Sequence, residues 1–374
     1  MYNRGFSTNS MSLKDKLLSF NLKFILVVVL IGAISVASMY STDKGNWGYH
    51  TISHLYRLTT FFTFFIFISL FKPNFWYKYA YFIYFVILFL LIGVDVFGVT
   101  ASGSKRWINL LIINLQPSEL MKVGVILFLA RYYNRLSRNE DINKVKYLYQ
   151  PLLAILIPIF LVIAQPDLGT ALLIASSGIM VLWITGLKIK YFVYTGFIFI
   201  ASLPFAIAFL KPYQKLRVLT FLNPDLDPLG AGYQIIQSKI AVGSGGIFGK
   251  GFLQGTQSYL GYLPEKHTDF IFTLYSEEFG FVGSSILLLL YVLLIYLLIN
   301  IGRDSKSNFA KIYTYGFASM LFICIAVNMS MVLGLLPIVG APLPIMSYGG
   351  SAMLATMFGL GIAMGCHINK SDIS

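Results

Sequence analysis

Residues 263–300 decide the fold class of this chain, and they run LPEKHTDFIFTLYSEEFGFVGSSILLLLYVLLIYLLIN. The part from 272 to 300 is long and apolar enough to cross a hydrocarbon core, which needs about 20 mostly apolar residues per helix. Directly before it, residues 263–270 place two carboxylates, a lysine, a histidine and a threonine at the start of that helix. The stretch therefore predicts a membrane helix that carries reactive side chains at one end.

The composition of the whole chain agrees with a membrane protein. Of 374 residues, 57% are hydrophobic and only 11% are charged, whereas soluble proteins carry about 25% charged residues. This excludes a soluble enzyme, a disordered chain and a secreted disulfide scaffold. The formal charge of +13 does not indicate nucleic acid, because excess Lys and Arg in a membrane protein usually lie in cytoplasmic loops. Cys324 and Cys366 lie within apolar runs and are predicted to be packing residues.

Ten apolar runs predict an all-α polytopic membrane protein with about ten transmembrane helices and a single integral membrane domain spanning 1–374. The runs are 23–41, 55–72, 77–98, 117–135, 150–165, 168–186, 191–210, 272–300, 311–334 and 350–367. If successive spans cross the membrane in alternating directions, 17 of the 28 Lys and Arg residues fall on the side of the N-terminus. The positive-inside rule then predicts that both termini, including a tail at 1–22, are cytoplasmic.

Two segments on the predicted external face are longer than ordinary connections. One is 99–116, and the other is a loop at 211–271 between the seventh and eighth spans. Loops of this length are usually functional or disordered, and the aromatic and glycine content of 211–271 argues against disorder. Residues 233–242 within it predict an amphipathic helix on the outer membrane interface, with three isoleucines on one face and Ser238 among the polar residues. The glycines of 243–251 predict tight turns rather than a nucleotide phosphate loop.

Seven carboxylates lie in or at the edge of the predicted bilayer, where an isolated charge costs about 2.5–3.5 kcal/mol. They are Asp95, Glu119, Asp167, Glu265, Asp269, Glu277 and Glu278. All seven fall towards the external half, which indicates a functional site there. Glu119 and Lys122 are three residues apart and share a helix face, which is compatible with either a buried ion pair or a ligand-binding role. Asp167 is predicted to cap the sixth span rather than to act in catalysis.

Several long motifs, in this order, resemble those of the SEDS family. They are QPSELMK (116–122), QPDLGT (165–170), FLNPDLDPLGAGYQIIQSKIAVGSGGIFGKGFLQGTQ (221–257), LPEKHTDFIF (263–272) and PIMSYGG (344–350). The match extends through essentially all ten spans. Lys266 before His267, and the QPSE wording, resemble the cell-elongation branch, RodA, more than the division branch, FtsW.

The resemblance implies an inner-membrane peptidoglycan glycosyltransferase of cell elongation that polymerises lipid II into β-1,4 glycan strands and releases polyprenyl diphosphate. It also implies a class B penicillin-binding protein and the elongation machinery as partners. The essential acid of the family falls on Asp269, its Arg-Trp pair on Arg106 and Trp107, and its Glu-Lys pair on Glu119 and Lys122. Nucleic acid is not an expected partner.

The chemistry of that reaction agrees with the residues present. A diphosphate leaving group needs cations but no proton, so one base is enough where a glycosidase needs two carboxylates. Asp269 is the predicted base, and a divalent cation (Mg or Mn) held partly by Asp269 is an open alternative. The predicted substrate-binding residues are Arg106, Trp107, Glu119, Lys122, Arg217, Lys239, Lys266 and His267.

Two other functions fit the same membrane architecture. A lipid II flippase would use the same spans and intramembrane charges, but transporter sites tend to lie at the bilayer midplane on broken helices, whereas these polar residues cluster externally. A noncatalytic scaffold for the penicillin-binding protein would leave the external carboxylates unexplained.

Overall fold

The computed structural model describes residues 12–101, 104–109, 114–136, 142–209, 212–227, 230–259, 263 and 265–371. Parts of the predicted tail 1–22 and of the predicted loop 211–271 lie outside the described residues. The chain is built mainly of helices. These are α1 (Leu13–Leu18), α2 (Leu22–Thr42), α3 (Tyr49–Ser69), α4 (Pro73–Phe97), α5 (Pro117–Arg135), α6 (Val145–Ala164), α7 (Leu168–Ile184), α8 (Ile189–Phe209), α9 (Pro212–Leu222), α10 (Ala231–Ser244), α11 (Thr256–Tyr259), α12 (Ile271–Asp304), α13 (Asn308–Val332) and α14 (Gly350–Ile368).

Within the described part of the chain, seven helices are long and apolar enough to cross a membrane, namely α2, α3, α4, α6, α12, α13 and α14. The helix α7 is apolar but shorter, with 17 residues. Each of the ten apolar runs of the sequence coincides with one helix, because α5 and α8 cover the two remaining runs. The multi-pass helical architecture is therefore confirmed, while a count of ten spans stays a prediction.

The third helix begins six residues earlier than the sequence predicted, at Tyr49 instead of residue 55. Two polar residues in the first two turns, Thr51 and His54, are buried rather than exposed to water. Thr51 Oγ1 donates to Asp43 Oδ2 at 2.7 Å, and His54 Nε2 lies 2.5 Å from Ser35 Oγ. Hydropathy alone predicts that a span ends at polar residues such as these. Their hydrogen bonds instead allow the helix to continue through these positions.

Pro158 lies inside α6, where it removes a backbone donor and leaves the carbonyl of Ala154 without its helical partner. The phenol of Tyr84 on α4 donates to that carbonyl at 3.0 Å. In a hydrocarbon environment a freed backbone group must be satisfied by a neighbouring helix, and Tyr84 does this. The neighbouring helix thus compensates for the hydrogen bond that Pro158 removes.

The long helix α12 contains a break at Gly280, whose φ of 63° and ψ of −159° are accessible only to glycine. The glycine-rich loop after α10 hydrogen-bonds across this break. Phe281 N donates to Gly246 O at 2.9 Å, and Lys250 N donates to Glu277 O at 3.0 Å. The tight turns predicted for residues 243–251 are confirmed, since Gly246, Gly249 and Gly251 all have positive φ.

Two features correct the sequence prediction. The chain is not purely helical, because 99–116 contains a small antiparallel sheet of β1 (Val99–Ala101), β2 (Ser104–Asn109) and β3 (Asn114–Leu115). The amphipathic helix is present as α10, but Ser238, expected on its polar side, is fully buried and donates to Val332 O at 2.7 Å. This helix packs on α12 and α13, so its buried face includes a hydroxyl with a partner.

Candidate active site

A cavity of about 420 Å³ opens where β2, the N-terminal ends of α5 and α7, the segment before α12 and the loop 337–349 meet. Five of the predicted site residues line it: Arg106, Trp107, Glu119, Arg217 and Asp269. They come from four distant parts of the chain, so the cavity exists only in the folded protein. The wall is mixed, with carboxylates and guanidinium groups beside proline, isoleucine and valine.

The backbone of Asp269 is fixed by a residue of α13. Asn328 is fully buried, and its side-chain amide donates to Asp269 O at 2.9 Å and to Ala341 O at 2.6 Å. Ser347 Oγ donates to Thr268 O at 2.7 Å in the neighbouring position. The segment that carries Asp269 is therefore joined at two places to the loop on the other side of the cavity.

The carboxylate of Asp269 is the group in this cavity best suited to accept a proton. Burial raises its pKa to about 7, and the nearby charges of Glu265 and Glu119 act in the same direction, while Arg217 opposes them. Within the described residues, no hydrogen bond or ion pair reaches this carboxylate. A general base works best with a pKa near the operating pH, and Asp269 meets that condition.

The side chain of Arg106 is held beside Asp167. Its Nη1 lies 3.7 Å from Asp167 Oδ2, and its Nη2 donates to Pro166 O. Asp167 also accepts from Thr170 N at 3.2 Å, which confirms the predicted N-cap of α7. One carboxylate therefore stabilises the start of a helix and positions a guanidinium in the cavity.

Two further cationic side chains lie at this site in different environments. Arg217 on α9 lines the cavity, and its Nη1 donates to Ile338 O at 3.3 Å. Lys122 lies beneath the cavity, with its Nζ 2.8 Å from Glu119 Oε2 and both side chains almost fully buried. The buried ion pair considered for Glu119 and Lys122 is thus present, and it leaves Arg106 and Arg217 as the cations of the described lining.

Besides Lys122, three predicted binding residues do not line this cavity. Lys266 Nζ donates to Thr42 O at 3.2 Å, and His267 Nδ1 lies 2.9 Å from Thr42 Oγ1, so both point towards the end of α2. Burial, together with His50 and Lys266, lowers the pKa of His267 to about 4, which makes it neutral at pH 7. Lys239 is exposed and packs against Gly334, after the end of α13.

Comparison with known proteins agrees with this architecture. The FtsW/RodA/SpoVE family, described as "Cell cycle protein", matches residues 15–372. The chain is 45% identical over 305 residues to the peptidoglycan glycosyltransferase MrdB of Escherichia coli, covering 81% of each protein. It is 37% identical over 280 residues to stage V sporulation protein E of Bacillus subtilis, covering 75% of each.

Solved structures also match this chain over most of its length. One from a study of a peptidoglycan synthase complex that coordinates polymerisation and crosslinking has a TM-score of 0.81 at 32% identity, covering 94% of this chain and 99% of its own. The rod shape determining protein RodA of Thermus thermophilus has a TM-score of 0.68 at 26% identity, covering 95% and 99%. The chain belongs to the SEDS family.

Sequence reasoning missed two residues of this SEDS site. Asn328 lies in an apolar helix, where a single amide gives no periodic signal, although an isolated polar residue in a span is itself a signal of function. Tyr348 lines the cavity, and its backbone N–H donates to His267 O at 2.9 Å. The motif PIMSYGG contains Tyr348, but the sequence assigned no role to it.

The open alternative of a protein-held divalent cation was tested against the donor set. Among the described residues of this SEDS protein, no three His, Cys, Asp or Glu side chains converge as metal ligands. Asp167 is committed to Arg106 and to the cap of α7, and Glu265 Oε2 accepts from Thr268 Oγ1 at 2.8 Å. These residues do not fit a metal centre built by the protein alone.

Proposed function

We propose that this SEDS protein is an inverting peptidoglycan glycosyltransferase that polymerises lipid II during cell elongation, with Asp269 as its base. The observation that carries the proposal is the Asp269 carboxylate, which no hydrogen bond or ion pair of the described residues reaches, in a cavity that two arginines also line. The similarity of this chain to the peptidoglycan glycosyltransferase MrdB, whose name states this activity, supports the assignment.

The reaction requires the transfer of one proton from the acceptor and the departure of the diphosphate leaving group from the donor. The 4-hydroxyl oxygen of the acceptor GlcNAc forms a bond to the anomeric carbon of the donor MurNAc, and the proton of that hydroxyl passes to Asp269. The bond from the anomeric carbon to the diphosphate breaks, and polyprenyl diphosphate leaves with the electron pair. Attack from the opposite face converts an α-linked donor into a β-1,4 glycan, and the leaving group needs no general acid.

Arg106 and Arg217 are the proposed contacts of the diphosphate. A guanidinium suits bidentate contact with phosphate oxygens, and both arginines line the cavity with Asp269. Trp107 follows Arg106 and offers an aromatic face to the lipid-linked substrate. The buried Lys122 places a further positive charge beneath the cavity, and the carboxylate of Glu119 beside it compensates that charge.

The proposed topology has ten spans and a single domain at 1–374. The seven long apolar helices, together with α5, α7 and α8, provide the ten spans, and the segment 211–271 lies outside. We propose that both termini are cytoplasmic, because Arg131, Lys144 and Lys188 lie at the same end of the bundle as the N-terminal lysines. The cavity then opens at the outer face of the inner membrane, where lipid II is polymerised.

A class B penicillin-binding protein is the proposed partner, with the elongation machinery around the pair. The chain is similar to a structure from a study of a peptidoglycan synthase complex that coordinates polymerisation with crosslinking. This similarity supports a complex in which a second protein supplies the crosslinking step. A flippase is less well supported, because the carboxylates of the cavity lie at or just before the starts of helices rather than midway along broken spans.

The deciding experiment compares Asp269→Asn with wild type in purified protein supplied with lipid II and the partner. We expect Asp269→Asn to abolish glycan chain formation while expression and complex formation remain intact. Asp225→Asn is the matched control, because Asp225 is exposed and outside the cavity, and it should polymerise normally. Full polymerisation by Asp269→Asn would disprove the base assignment, and retained polymerisation with lost lipid flipping in vesicles would favour the transporter.

A further inference from the structure

A second cavity, of about 740 Å³, lies between α4, α5 and α6 at the end of the bundle opposite the candidate active site. It shares no lining residue with the cavity that contains Asp269. Its lining changes in character with depth. Leu88, Leu153 and Ile157 form an apolar floor, several tyrosines lie above them, and Arg135 and Lys146 lie at the rim.

The wall of this cavity is fixed by a hydrogen bond across it. Pro151 in α6 leaves the carbonyl of Tyr147 without its helical donor, and the phenol of Tyr132 on α5 donates to that carbonyl at 3.1 Å. Both tyrosine side chains also line the cavity. The phenol of Tyr132 is therefore held in place without a ligand, which lowers the ordering cost of binding one.

The charge at the opening is positive. Arg135 and Lys146 are exposed at the rim, and no Asp or Glu is among the residues described as lining the cavity. Arg131 lies beside the opening, with its guanidinium 4.1 Å from the ring centre of Tyr81. Aromatic side chains at this depth are typical of the membrane–water interface, where a polar tip and an apolar body are both accommodated.

We propose that this cavity is a binding site for an anionic phospholipid of the leaflet at the basic end of the bundle. Arg135 and Lys146 contact the phosphate, the tyrosines surround the glycerol region, and an acyl chain lies on Leu88, Leu153 and Ile157. Basic pockets between membrane helices on the cytoplasmic side bind such headgroups, and the assignment of that leaflet rests on the proposed topology. A soluble phosphate would use the rim but not the apolar floor.

The test is native mass spectrometry of the full-length protein in detergent, titrated with cardiolipin, phosphatidylglycerol or phosphatidylethanolamine. Binding in detergent does not depend on which leaflet the cavity faces, so a failure here is separate from a failure of the topology or of the glycosyltransferase assignment. We expect cardiolipin and phosphatidylglycerol to bind more tightly than phosphatidylethanolamine. The double variant Arg135→Gln with Lys146→Gln should weaken cardiolipin binding roughly 10- to 30-fold, the effect of losing two interfacial charges.

Two further variants make the result specific to this cavity. Leu153→Trp keeps the basic rim but fills the floor, and we expect it to weaken cardiolipin binding as well. Lys188→Gln with Lys190→Gln removes the same charge from the same end of the bundle, outside the cavity, and should bind like wild type. Equal losses in both double variants, unchanged binding by the Arg135 and Lys146 variant, or displacement of cardiolipin by soluble glycerol phosphate would each overturn the proposal.

Discussion

Asn328 donates a hydrogen bond of 2.9 Å to the backbone carbonyl of Asp269, and it does so from an apolar helix, near the C-terminal end of α13. The same amide also donates to Ala341 O at 2.6 Å, so one side chain joins the two segments that face each other across the candidate site. The proposed base therefore depends on a residue that does not itself line the cavity.

We expect Asn328→Ala to lower the rate of glycan polymerisation about 10- to 100-fold, because loss of both hydrogen bonds lets the carboxylate of Asp269 move away from its working position. The variant should still fold and bind its partner. A positioning role predicts a larger effect on kcat than on KM and a changed pH profile. A loss explained entirely by reduced Tm, with unchanged kcat in the folded fraction, would contradict it.

The pH dependence of kcat/KM should report the ionisation of Asp269. Its pKa is raised to about 7, and the deprotonated form is the base, so the rate should rise about tenfold per pH unit below 7 and level off above it. Arg217 lowers that pKa, so Arg217→Gln should move the profile to higher pH. A flat profile between pH 5 and 8 would exclude Asp269 as the titrating base.

Asp167→Asn and Asp167→Ala should separate the two roles of this carboxylate. Asparagine also caps helices well, so Asp167→Asn should keep the Tm but raise the KM for lipid II, because Arg106 loses its ionic partner. Asp167→Ala loses the cap as well and should unfold more easily, by about 0.5–2 kcal/mol. Thermal unfolding and steady-state kinetics measure both effects. An unchanged KM in both variants would show that Asp167 only caps α7.

Arg217→Gln and Lys266→Gln compare a cation that lines the cavity with one that does not. Loss of a charge-assisted contact to the diphosphate should raise the KM of Arg217→Gln for lipid II about tenfold or more. Lys266 donates to Thr42 O, away from Asp269, and its replacement should leave KM close to wild type. Equal increases in KM would support the sequence-based assignment of Lys266 to substrate binding.

The break in α12 gives a prediction about stability. Gly280→Ala places a Cβ 2.3 Å from Gly249 N in a backbone conformation that only glycine adopts, so we expect a markedly lower Tm and poor expression. Gly93→Ala is the control, because no atom lies within 4 Å of the added Cβ and alanine favours a helix. A Gly280→Ala protein as stable as wild type would show that the break can relax.

Much of the fold was predictable because hydropathy determines which segments enter a membrane. All ten apolar runs coincide with helices, but the start of α3 was placed too late because the hydrogen bonds that bury Thr51 and His54 are made to other parts of the chain. The sheet at 99–116 was missed for a different reason. Its strands are two, three and six residues long, too short for a repeating pattern to be recognised.

The sequence by itself determined that this chain spans a membrane and that the seven carboxylates in or at the edge of the bilayer lie towards one end, because both follow from the cost of placing charge in hydrocarbon. The family motifs selected Asp269. Only the tertiary structure decided which cations share its cavity, because the direction of a side chain in a loop depends on partners far away in the sequence. Thr42 draws Lys266 and His267 to one side of their segment, while Asn328 holds Asp269 at the cavity on the other.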